Sequence, residues 1–189
     1  AGRALRAQGP DGVAVAEVMK EAGLTHGGFY AHFKSKDALL AEAMRGVFTF
    51  SKERYRKLTE GLPPHHALAT YIDFYVSPDH RDRVANGCPI TALNSDIPRQ
   101  SKQLRSAFDD GVKSLVDGLR MLIESAGIEP ENDSTALAAS VLSAMAGAIA
   151  VSRVVSDKRL SDEMLETARR SIKERLGVSD ASLSGKWMQ

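Results

Sequence analysis

Between Leu24 and Lys36 the chain reads LTHGGFYAHFKSK: a hydroxyl at Thr25, imidazoles at His26 and His32, a phenol at Tyr30 and ammonium groups at Lys34 and Lys36, with no carboxylate among them. Each of these groups can donate a hydrogen bond. Together they suit phosphate oxygens and the edges of bases, and a polyanion would repel Asp or Glu from such a stretch. Gly27 and Gly28 are poor helix formers, each costing up to about 1 kcal/mol relative to Ala. Either they let the backbone approach a ligand closely, or the helix that holds them is short and tightly packed on its neighbour. The single residues also keep two readings: Thr25 as a contact or only a cap, His32 as a contact or a packed histidine, Lys34 as a contact or a solvated charge.

The elements that must position these groups are legible just upstream. Val15, Val18, Met19 and Ala22 share a face at helical spacing, Gly23 supplies the left-handed residue that stops a helix, and Leu24 turns the chain inward. Thr25 is placed to cap a second helix running through Phe29, Tyr30 and Phe33, in which Phe29 and Phe33, four residues apart, pin it to the first. A connection this short makes the two helices cross steeply, the geometry in which a second helix enters a major groove while the first braces it.

The run AGLTHGGFYAHFKSKDALL, Ala22 to Leu40, resembles the signature of the TetR/AcrR family of transcriptional regulators. The resemblance implies an all-α protein with an N-terminal three-helix helix-turn-helix domain over residues 1–47, its first helix truncated. A helical effector-binding and dimerisation bundle is expected over 48–178, and a flexible tail over 179–189. It also implies a homodimer on a palindromic double-stranded DNA operator, acting as a repressor and released by a small-molecule effector. Carried onto this chain, Tyr30, His32 and Lys36 become phosphate contacts, with Lys34 beside them, and Thr25, His26, Gly27 and Gly28 face bases or sugars. Two features depart from the pattern. Ala14 stands where the family has a capping Ser or Thr, and the chain opens without Met on what reads as the last turns of a helix, so residues preceding Ala1, a basic arm among them, are expected to be missing.

Composition sets the remaining bounds. A chain of 189 residues with 43% hydrophobic content buries a real core, and a net charge of +1 favours a localised nucleic-acid footprint over general coating. One cysteine rules out an intrachain disulfide. The most apolar stretch, Ala136 to Val155, is broken by Ser140, Ser143, Gly147, Ser152 and Arg153 and reads as a buried helix, so the expectation is a cytoplasmic protein with no membrane partner. No phosphate-binding glycine loop, helical histidine pair or Gly-x-Ser-x-Gly turn is present, so neither enzyme activity nor a cofactor is expected; His65, His66 and His80 form only a weak metal alternative.

The pattern is helical almost throughout. Helices are expected from Lys36 to about Leu58, from His65 to about Val76, over Gln100–Ala126, Thr135–Ser156 and Ser161–Leu176, with a short helix or turn at Ile90–Ile97 and a loop over Pro78–Gly87. Tyr71, Phe74, Tyr75, Cys88, Phe108, Leu115, Leu119 and Met145 are candidates to line an effector pocket, or else form solid core. Cys88, after the Asn86-Gly87 turn, is either a reactive thiol or an inert small hydrophobe. In the last two helices, Leu137, Val141, Met145, Ile149, Met164, Leu165, Ala168 and Ile172 either form a dimer interface or complete the core of one chain.

Overall fold

The computed structural model describes residues 1–25, 28–129 and 133–178; within them the chain forms ten α-helices and no strand. It divides into two compact units. The first comprises Ala1–Ser51 and Val84–Lys113, the second Lys52–Arg83 and the described part of Ser114–Gln189. This partition differs from a boundary at residue 47, because two 24-residue helices, α4 (Lys36–Thr59) and α8 (Lys102–Ser125), each contribute to both units. The expected tail at 179–189, Trp187 included, lies outside the described residues.

In the first unit, α1 (Gly2–Gly12) bends at Gly9, whose φ of 72° precedes Pro10. Proline has no N–H for the helical ladder, and glycine tolerates the left-handed turn that the break requires. Leu5 is fully buried, and Arg6, also buried, donates from Nε to the Ala85 carbonyl at 2.7 Å, tying α1 to a short 3-10 turn at Val84–Asn86. Next come α2 (Val15–Glu21), α3 (Phe29–His32), the first part of α4, and α7 (Pro89–Leu93), which opens with proline at its first helical position. The first part of α8 completes the unit, with the Phe108 ring edge-on to Phe48 at 5.5 Å.

The second unit stacks α5 (Pro64–Tyr75), α9 (Ser134–Val154), α10 (Lys158–Arg175) and the remainders of α4 and α8 around Leu68, Ile72, Leu119, Ile123, Met145 and Ile149, all nearly inaccessible to solvent. The expected loop at Pro78–Gly87 is corrected in both units: Pro78–Asp82 is a helical turn, α6, and Val84–Asn86 the 3-10 turn already described. Its polarity is misleading. Ser77 Oγ accepts from the His80 N–H at 3.1 Å and caps α6, while Arg81, 4% exposed, donates to Asp82, Ser161 and Asp162. Arg153 closes the other side by donating to the carbonyls of His80 and Arg81. A polar segment thus folds inward because its charges find partners on α9 and α10.

The Ala136–Val155 expectation is corrected in a different way. By length and composition α9 could cross a bilayer, but only 33% of that span is buried here. One face forms core, and the other carries exposed Ala144, Gly147, Val151 and Val154.

Candidate nucleic-acid interface and effector groove

The interface is built on α2, α3 and the start of α4. Val18 and Met19 bury one face of α2, and Ala14 precedes it without a side-chain cap. Gly23, at φ 70°, ends the helix; its N–H bonds the Lys20 carbonyl and the Leu24 N–H bonds that of Met19, satisfying carbonyls that a helix end leaves open. The Leu24 side chain stays at the surface, 45% exposed. Thr25 Oγ1 accepts from the Gly28 N–H at 3.2 Å, but α3 itself starts after Gly28 and has no side-chain cap.

Within α3, Phe29 is buried and stacks on Phe33 with centroids 5.8 Å apart, so this ring anchors the helix. The helix stops at His32, one residue short of the expected Phe33, which is extended at φ −133° and ψ 131°. Tyr30 points the other way and is 71% exposed, and Thr25, His32 and Lys34 are also exposed. His26 and Gly27 lie outside the described residues. Ser35, which the sequence reading did not single out, accepts from the Ala38 N–H at 3.1 Å and caps α4; a Ser directly before a helical run was its available signal. Lys36 donates to the Asp11 carbonyl at 3.2 Å, which uses one of the three donors of its ammonium. The described side chains therefore form a donor-rich surface on one small unit.

The second unit holds a groove of about 360 Å³ between the C-terminal half of α4, α5 and the C-terminal half of α8. Of the eight pocket candidates, Tyr71, Leu115 and Leu119 line it. Tyr75 and Met145 are fully buried instead, and Phe74 lies beneath the Arg54 guanidinium, 4.4 Å from its ring centre. Cys88, buried at the start of α7, and Phe108, against Phe48, belong to the first unit. Lys52, Tyr55, Arg56, Thr59 and Gly118 also line the groove. Lys52, Arg56 and Thr59 carry no mark in the sequence pattern because polar helix positions look like solvated faces.

Of the lining residues, Tyr55 and Tyr71 meet at 4.5 Å between ring centres, and the buried Tyr75 meets His80 edge-on at 4.7 Å. His80 Nδ1 lies 2.6 Å from the Tyr75 carbonyl, an acceptor only, so that nitrogen carries the proton. Burial pushes the His80 imidazole down to about 4, assisted by the nearby Arg153 and Arg54 cations and opposed by that hydrogen bond and by Asp79. A neutral histidine so enclosed is a core group, and no cluster of three potential metal ligands occurs among the described residues.

The dimer candidates separate by exposure. Val141, Met145, Ile149, Leu165 and Ile172 are buried within the one chain and cannot present a face to a second; Leu137, Met164 and Ala168 are half-buried. The spacing of four identified the inward stripe of α9. The open face lies around the helix from it, at Ala144, Gly147, Val151 and, on α10, Leu160 and Met164.

A helix-turn-helix in one helical unit, together with a second all-helical unit that holds an apolar groove, defines the class of helical DNA-binding regulators. Residues 1–43 match the bacterial regulatory proteins of the tetR family, and residues 64–170 match the C-terminal domain of the LmrA/YxaF-like transcriptional regulators. The chain belongs to the TetR family of transcriptional regulators. An HTH-type transcriptional regulator of Bacillus subtilis (strain 168), YerO, is 29% identical over 99 residues, a match spanning 50% of this chain and 32% of that relative. Among solved structures, reduced NemR of E. coli superposes with a TM-score of 0.76 at 20% identity, covering 90% of this chain and 89% of that one. A TetR-family regulator of Agrobacterium tumefaciens gives 0.74 at 18% identity, covering 92% of each. At these identities the structural likeness speaks for the fold.

Proposed function

We propose that this regulator is a cytoplasmic repressor that binds a palindromic operator as a homodimer and is released by a small molecule in the groove of its second unit. The observation that carries DNA recognition is the acid-free donor set of exposed Thr25, Tyr30, His32 and Lys34 and half-buried Lys36, on a turn pinned by buried Phe29. Lys36, Tyr30 and His32 take phosphates, which sets register, while His26, Gly27 and Gly28 approach base edges and sugars. Pairing is supported by the open face of α9 and α10, where small residues at Ala144 and Gly147 allow close backbone approach and Val151 and Leu160, 48% and 47% exposed, await cover. Two readers on a two-fold axis select half-sites about 34 Å apart or a multiple of that spacing. An effector need shift the competing states by only about 1.4 kcal/mol to weaken binding tenfold.

Selection of duplexes from a random pool, at physiological salt and with the full chain, tests this reading. Enrichment of two-fold symmetric sites is expected, with Lys36→Ala weakening all sequences and His26→Ala changing the preferred ones. Absence of any sequence preference would overturn it.

A further inference from the structure

We propose that the groove takes an aromatic organic anion, its flat apolar body lying over Gly118 and its negative group on Lys52 and Ser114; this rests on reading the groove as the effector site. The walls supply the first argument. Tyr55, Tyr71, Leu119 and Leu122 line the groove together with Met121, which is 62% exposed, an apolar surface that water solvates poorly.

Gly118 supplies the second. It stands in the middle of α8, where glycine costs about 1 kcal/mol relative to Ala, yet a Cβ at that position would meet nothing within 4 Å. Gly111 in the same helix is different, since a Cβ there would overlap the Phe48 ring. Packing thus accounts for Gly111 and leaves Gly118 without a reason inside the chain. Its effect is to bare the α8 backbone in the lining of the groove, which gives the face of a ring room for close contact.

Charge supplies the third. No carboxylate lines the groove, and its two cations differ. The Arg56 guanidinium is held by Glu53 at 2.8 Å and Glu60 at 3.0 Å, whereas the Lys52 ammonium donates to the hydroxyl of Ser114 at 3.3 Å. Because Ser114 Oγ accepts from Lys52, its own O–H points a donor elsewhere, and the two groups together offer adjacent donors to a carboxylate or sulfonate. A neutral aromatic ligand would cover the same walls while drawing Lys52 out of water without a counter-charge.

Fluorescence titration of the full chain with anilinonaphthalene sulfonate and with phenylnaphthylamine, the same ring system lacking the sulfonate, tests the assignment. The sulfonate should bind about tenfold more tightly, a margin typical of one charge-assisted hydrogen bond. Lys52→Met should erase that preference and Lys52→Arg should keep it. Gly118→Leu, which fills the groove, should abolish binding of both probes while thermal melting shows a folded chain; Ser125→Phe, closing the groove from its end, serves if α8 does not tolerate the leucine. Equal affinity for the two probes, or a preference that survives Lys52→Met, overturns the anionic class and leaves the groove standing. Undiminished binding of both probes in the filled variants overturns the groove itself.

Discussion

Phe29 and Tyr30 are chain neighbours of similar size, yet the first is 3% exposed and the second 71%. On a helix, adjacent residues point about 100° apart, so one ring anchors α3 and the next presents a hydroxyl. That division was readable from spacing alone. His80 was not, since the neighbouring Tyr75 carbonyl and ring enclose it only together with the Arg153 side chain, which comes from far along the chain. Its consequence is a dependence of stability on pH. The folded value, about 4, lies below the ordinary 6.5, so the unfolded chain binds the proton more readily. The stabilisation is therefore fully present above about pH 6.5 and is lost as pH falls towards about 4, by on the order of 3 kcal/mol in all. Denaturant midpoints measured across that window should fall for the native chain, and the His80→Asn variant should show a flatter profile; parallel profiles would mean that His80 carries none of the dependence.

At the scale of elements, the boundaries of the long helices were legible because apolar periodicity and stop signals agree: Gly23 and Gly127, with φ of 70° and 65°, close α2 and α8 near where the sequence places their ends. The loop expected at Pro78–Gly87 failed because a short helix that buries Arg81 against Asp162 carries no apolar stripe to announce it. Two glycines in α8 give a paired prediction of opposite sign. Gly111→Ala forces the buried Phe48 ring to move and should destabilise by about 1–3 kcal/mol, as overpacking does. Gly118→Ala meets open space and should stabilise by up to about 1 kcal/mol through helix propensity. Equilibrium unfolding of the two variants decides; a shift of the same sign in both would show that the neighbourhood of Gly111 yields without cost.

At the scale of the whole molecule, one apolar helix serves two surfaces. The inner stripe of α9 holds Val141, Met145 and Ile149 in the core, and the outer one exposes Ala144, Gly147 and Val151. If the outer stripe is the seat of a second copy, Val151→Glu places a charge where apolar contact is needed. The variant should run as a folded monomer in analytical ultracentrifugation and lose most of its affinity for a two-fold operator, since each reader then binds alone. A variant that stays dimeric would move the interface elsewhere.

By itself the sequence determined the family, the all-helical class and the identity of the donor-bearing turn. Those depend on local order: capping, glycine placement and spacing along one helix act over a few residues and survive any arrangement of the rest. Only the tertiary structure decided which stripe of α9 faces inward, which polar residues of α6 are buried, and that Lys52 and Ser114 line one groove with Gly118. Burial and charge pairing are properties of the elements that meet, and residues far apart in the chain carry no mark of who their neighbours will be until the helices pack.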